Sequence, residues 1–154
     1  MRELKDSRIT AIHEAAHAVA AVRTGLVFET VSAIPDEARE VDGALYWHAL
    51  HDQVDLVMPR ELLAIVLLAG PCAEAKLRNL RFDRVFAGVA ATDDRAGVAS
   101  IGLTAEQFVA ASRDAMALVE RDWPSIERVA QELEAGDSLS FDEVEAMVAA
   151  TSSP

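Results

Sequence analysis

Ser7-Arg-Ile-Thr-Ala-Ile-His-Glu-Ala-Ala-His-Ala-Val-Ala-Ala-Val-Arg-Thr24 is the stretch from which the rest of the chain can be read. Ile9, Ile12, Ala16, Val19 and Ala20 recur at helical spacing, so the segment reads as a helix from about Ser7 to Thr24. Asp6 or Ser7 can cap its start, and Gly25 can end it. The abundance of alanine extends beyond this helix. Of 154 residues, 51% are hydrophobic and only 5% aromatic. That mixture favours helices packed closely on helices over a β-sandwich, in one domain of ordinary size.

Working outward, Leu26 to Ile34 is rich in β-branched residues and is stopped by Pro35, which predicts a strand. The polar, acidic segment from Asp36 ends in Asp42-Gly43, a turn signal. Ala44 to Leu50 then reads as a second strand, able to pair with the first as a hairpin. A second long helix opens near Pro59 and runs through Glu61 to about Leu77, with Gly70-Pro71 expected to kink or break it. Residues 78–91 look irregular. A short helix begins near Thr92 or Asp93, either of which suits an N-cap. Thr104 with Gln107 forms a capping box for a helix to about Asp122, Pro124 opens the next to about Gly136, and Ser140 with Glu143 caps a last one ending near Ala150. The expected fold class is α+β, mainly helical. Residues 1–150 form a single domain of packed helices with a small early β-sheet or hairpin, and 151–154 a flexible C-terminal tail.

Charge and cysteine content narrow the partners. Lys and Arg number 14 against 26 Asp and Glu, a formal charge of -12. Such a surface repels phosphate backbones and anionic membranes, so neither nucleic acid nor a membrane is expected as a partner. The single cysteine, Cys72, fits a reducing compartment and, lying in an apolar stretch, reads as a buried small residue. The N-terminus is too charged for a signal peptide, and the longest apolar run, Leu62 to Ala69, is far short of the ~20 residues a spanning helix needs. A cytoplasmic location is expected. The oligomeric state is left open.

His13-Glu14-Ala15-Ala16-His17 fits the pattern H-E-x-x-H within the predicted helix, the context this motif requires. Residues four apart stand one above another on a helix face, so two imidazoles can meet one ion from a single rigid element. Zinc accepts neutral imidazole nitrogen, and a catalytic zinc site keeps a position for water. Glu14, on a neighbouring part of the surface, is the candidate catalytic base that activates that water. The flanking alanines let another element approach closely. Spacing alone does not choose the third ligand. His48 and His51 lie on or just past a strand. Glu74 follows the expected kink. Asp93 and Asp94 sit at a helix start, where simple N-capping would account for one of them.

Several segments together resemble the FtsH-type peptidase family, the metalloprotease domain of membrane-bound, ATP-dependent proteases. Ile12 to Ala20 resembles that family's zinc-binding helix. Val31 to Pro35 and Gly43 to Tyr46 resemble the strand, loop and strand that follow it. Leu67-Leu-Ala-Gly-Pro-Cys-Ala-Glu74 resembles its glycine-containing helix, Thr92-Asp-Asp94 the segment supplying its third ligand, and Leu139 to Val148 its closing helix. The resemblance implies Zn2+ held by His13, His17 and an aspartate, Asp94 being preferred and Asp93 kept beside it, with Glu14 as general base. It also implies an extended peptide or unfolded protein substrate. That substrate would pair by β-augmentation with part of Leu26 to Ile34 or Ala44 to Leu50. The chain departs from the family at Ala16, where the family has glycine, and at Gly70-Pro71. No P-loop, ATPase domain or membrane anchor is expected from this sequence. The expected activity is therefore a zinc metallopeptidase of ATP-independent action. The alternatives are a non-catalytic zinc- or peptide-binding module on the same fold, and a helical interaction domain without metal.

Overall fold

A computed structural model describes residues 6–33, 44–46 and 59–152. The elements in chain order are α1 (Asp6–Thr24), β1 (Thr30–Ser32), β2 (Ala44–Tyr46), α2 (Arg60–Arg78), α3 (Phe82–Phe86), α4 (Thr92–Ile101), α5 (Ala105–Arg121), α6 (Trp123–Glu134), β3 (Leu139–Ser140) and α7 (Phe141–Ser152). The expected class holds: a packed helical domain with a small antiparallel sheet.

The centre of the fold is α1. Every residue from Ala11 to Ala21 is buried, so the helix is surrounded on all sides and not laid on a surface. It packs against α2, α6, α7 and β1. Its alanines explain how this is possible, because a small side chain lets neighbouring backbones approach from every direction. The helix stops at Gly25, whose φ of +80° disfavours any residue with a side chain. Leu26 N donates to Ala21 O at 2.8 Å and Gly25 N to Val22 O at 3.3 Å, the paired bonds of a glycine-ended helix.

After α1, Leu26 and Phe28 are buried while Val27 is 52% exposed, the alternation of a half-buried strand. The paired strand is nevertheless shorter than the sequence suggests, covering only Thr30–Ser32. Its register with β2 is Thr30 opposite Tyr46, Val31 opposite Leu45 and Ser32 opposite Ala44. The sequence reading missed β3, whose Leu139 and Ser140 pair with Val31 and Thr30. Two residues are too few to show a period. Thr30 and Val31 are thus bonded on both flanks and offer no free edge. Residues 34–43, which hold the acidic loop from Asp36 to Asp42, lie outside the described residues, as do His48, His51 and the rest of the second predicted strand.

Gly70-Pro71 does not break α2, which runs unbroken from Arg60–Arg78. Proline removes one helical donor and crowds the carbonyl four residues back, but its further clash with the Cβ of the preceding residue is absent at Gly70. Residues from Ala64 to Ala75 are almost wholly buried, so packing outweighs what the lost bond costs. The stretch expected to be irregular contains α3 and a 3-10 turn, Val89–Ala91. The rings of Phe82 and Phe86 stack at 5.3 Å and Phe86 lies 5.8 Å from Phe108, so tertiary contact shapes a helix too short to carry a periodic signal. Both capping boxes form: Gln107 N donates to Thr104 Oγ1 at 3.1 Å, and Glu143 N to Ser140 Oγ at 3.2 Å. The predicted tail begins too early. Thr151 and Ser152 belong to α7, because the Thr151 hydroxyl bonds the carbonyl of Met147 at 3.0 Å and meets Ser125 Oγ.

One buried carboxylate locks three helix ends together. Asp122, at the α5–α6 junction, accepts from Arg23 Nη2 at 2.9 Å and Arg23 Nε at 3.1 Å, and from Arg121 at 3.0 Å. The same Arg23 guanidinium reaches Ser152 Oγ at 2.6 Å, so the end of α1 is tied to α7 as well. Burial alone would push Asp122 upward, but its two arginines hold it below the ordinary carboxylate range. A depressed carboxylate contributes stability above its unfolded pKa and loses it as pH falls through the folded one. Asp122→Asn should therefore cost about 1.5–3 kcal/mol at neutral pH. The difference from wild type should shrink once the pH drops below about 4. Urea denaturation of both proteins across this range checks it, and a gap that does not depend on pH would refute the assignment.

Candidate metal centre

Two elements, α2 and α4, converge on α1 here. His13 and His17 lie one turn apart with ring centroids 4.9 Å from each other and planes inclined at 72°. Asp94 enters from the first turn of α4. Its Oδ2 is 2.8 Å from His13 Nε2 and its Oδ1 is 3.2 Å from His17 Nε2. All three groups are buried or nearly so, as is Glu14 at 8% exposure. One oxygen of Glu14 and one nitrogen of each histidine lie within 4.8 Å of one another.

Behind the rings, each Nδ1 faces an acceptor. His17 Nδ1 bonds the backbone carbonyl of Val66 at 2.8 Å, and His13 Nδ1 stands 3.4 Å from Glu74 Oε1. Both acceptors belong to α2. On the shared side each Nε2 faces the Asp94 carboxylate, which only accepts, so both nitrogens of each ring point at acceptors in this structure. The same ring orientation would let Nε2 ligate a cation once it gave up its proton, with the outer partner holding Nδ1–H.

The third contribution of α2 is an absence of side chain. A Cβ built on Gly70 would collide with His17 Nε2, and would stand 2.6 Å from His17 Cε1 and 2.7 Å from His13 Nε2. Bare backbone is required at this position for the two imidazoles to occupy their places. The glycine that eases Pro71 into the helix therefore also makes room for the site.

The structure separates the two aspartates that spacing could not. Asp94 reaches both rings, whereas Asp93 is exposed. Neither Asp93 nor Thr92 caps the helix; the 3-10 turn leads directly into it, and no side chain bonds at its N-cap. The turn is held by Arg95, whose guanidinium reaches Phe86 O at 2.6 Å and also Gly88 O, and by Thr92 Oγ1 donating to Val89 O at 2.7 Å. Glu74 lies on the Nδ1 side of His13, not among the Nε2 atoms. The sequence reading overlooked Arg95, Arg78 and the role of Gly70. Only Arg78 had a visible signal, its i,i+4 spacing from Glu74 on one helix.

Electrostatics follow from this crowding. Burial would push the His13 imidazole down, but the carboxylates of Asp94 and Glu74 outweigh it and bring it up to about 10. His17 is raised too, against the same penalty, chiefly by Asp94. Asp94 is held well below the carboxylate range by the two rings despite its burial. Glu14 is shifted upward by burial, with the neighbouring imidazoles pulling the other way.

The chemistry of the donor set, two imidazoles and carboxylates gathered in a buried space, suits a cation such as zinc. In this structure the two Nε2 atoms meet the Asp94 carboxylate directly, at 2.8 Å to Oδ2 and 3.2 Å to Oδ1. No protein-family model matches the chain, and no curated protein matches it.

Gly70→Ala should perturb this centre specifically, costing about 1–3 kcal/mol through overpacking and shifting the imidazole NMR resonances of His13 and His17. Gly97→Ala is the control. Its Cβ would meet only the tip of Leu67, at 3.1 Å, a flexible side chain that can yield. Equal effects of the two substitutions would contradict the close approach.

Proposed function

We propose that this chain is a zinc-dependent peptidase that hydrolyses peptide bonds without ATP. The observation that carries the reading is the meeting of His13 Nε2, His17 Nε2 and the Asp94 carboxylate in a buried space, with both Nδ1 atoms turned to outer acceptors and Glu14 alongside. Three buried ionisable side chains in the middle of a helix are costly to a fold that gains nothing else from them.

In this reading His13, His17 and Asp94 hold Zn2+, and Asp93 stays at the rim. Zinc bound there would supply a water of lowered pKa and polarise the peptide carbonyl. Glu14, whose carboxylate lies beside both imidazoles, would take the proton of that water and return it to the leaving amine. Gly70 keeps the space before the imidazoles open. An extended peptide or unfolded segment is the substrate. Because Thr30 and Val31 are paired on both flanks, a β-augmenting substrate would use the outer edge of β2 and not β1. No described helix is long and apolar enough to cross a membrane. We place the protein in the cytoplasm, without nucleic-acid partners, on its acidic charge and single cysteine.

Elemental analysis of the purified protein should find about one zinc per chain, strongly reduced in His17→Ala. Cleavage of an unfolded protein should proceed without ATP and stop on chelation. Glu14→Gln should keep its zinc and lose at least about a hundredfold in kcat/KM, the scale of general acid–base catalysis. Zinc without cleavage in the wild type would favour the non-catalytic binding module. No zinc uptake at neutral pH would remove the metal reading altogether.

A further inference from the structure

The two imidazoles are supported from behind in unlike ways. His17 Nδ1 relies on a backbone carbonyl, that of Val66, at 2.8 Å, which the helix itself fixes. His13 Nδ1 relies on a side chain, Glu74, at 3.4 Å. The other oxygen of that carboxylate accepts from Arg78 Nη1 at 2.9 Å, one turn further along α2. The Glu74 side chain is 4% exposed and that of Arg78 is 41% exposed, so a chain of contacts runs from the surface to His13.

The arrangement is directional. Glu74 Oε1 stands on the Nδ1 side of the His13 ring while Nε2 faces the side shared with His17 and Asp94, and the other Glu74 oxygen is engaged by Arg78. A guanidinium is a planar, rigid fork, so it orients the carboxylate that it holds.

We infer that Glu74 and Arg78 are positioning residues for the metal centre: Arg78 aims the Glu74 carboxylate, and Glu74 fixes the ring orientation and Nδ1–H tautomer of His13. The inference rests on the reading of His13 as a zinc ligand. It goes beyond that reading by assigning an outer relay whose last member reaches the surface.

The test is zinc affinity of the full chain, measured by competition with a chromophoric chelator, together with the visible absorption of the Co2+-loaded protein. Glu74→Gln should lower zinc affinity by roughly 10–100-fold, the usual effect of losing an outer partner. Arg78→Ala should lower it by a smaller factor and shift the Co2+ bands, with Arg78→Lys restoring part. If Arg78 acts through Glu74, Arg78→Ala should add nothing in the Glu74→Gln background. Lys76→Ala, which removes a partner of Glu120 on the same helix, should leave affinity unchanged. Should Glu74→Gln fail to fold, the Arg78 variants decide, since that guanidinium is partly exposed. Wild-type affinity and spectrum in Arg78→Ala overturn the inference, as does an Arg78 effect undiminished without Glu74. A wild type that takes up no zinc overturns the underlying reading first, before any variant is made.

Discussion

The contact on which everything else depends is the approach of bare α2 backbone at Gly70 to the Nε2 edges of His13 and His17. Two helices cannot come this close with ordinary side chains between them. The sequence removes the obstacle from both sides, with a run of small alanines around the histidines of α1 and Gly70 on α2. The closeness has a second effect. It brings the polar groups of α2, the Val66 carbonyl and the Glu74 carboxylate, within reach of the buried Nδ1 atoms of the two imidazoles. Close packing and polar satisfaction are therefore one constraint here, because the residues too small to fill space are those that let the backbone reach the rings.

That constraint spreads outward. The two rings need a counter-charge on their open side, and it comes from a residue 81 positions further along the chain. Bringing α4 there requires that α2 continue past Pro71, that the chain turn at Asn79, and that α3 and the 3-10 turn deliver Asp94 at the right height. Asn79 adopts the left-handed conformation, with φ of 54°, and Leu80 N closes the helix onto Ala75 O at 2.9 Å. On the far side of α1, the Arg23–Asp122 pair fixes the opposite end of the helix against α5, α6 and α7. The central helix is thus held at its C-terminal end, while its middle carries the ionisable groups.

How much of this can be read from the chain depends on the range over which each feature is encoded. The H-E-x-x-H spacing and the capping boxes at Thr104 and Ser140 are local, so their residues name their partners within four positions. The pairing of β1 with β2 follows from local alternation and a turn signal. β3 does not, because a two-residue strand exists only by virtue of what it lies against. The break expected at Gly70-Pro71 failed for the same reason. Local rules weigh the lost hydrogen bond, but they do not include the packing of the residues around it, nor that glycine spares its neighbour the usual clash. Arg95 had no signal at all, since its acceptors are main-chain carbonyls in a segment that looked irregular.

The two aspartates at positions 93 and 94 illustrate the limit most sharply. They are the same residue type, adjacent, and both in the first turn of one helix. A helix turns by about 100° per residue, so one step along the chain decides whether a carboxylate points at α1 or away from it. Which of the two points inward is set by where the helix begins and how it is rotated about its axis. Both are fixed by the 3-10 turn before it, and that turn is held by Arg95 from within α4 itself. An N-capping start at Thr92 or Asp93 would have moved the helix origin and so rotated a different residue inward. The identity of the third group in the centre is consequently a property of a turn several residues upstream.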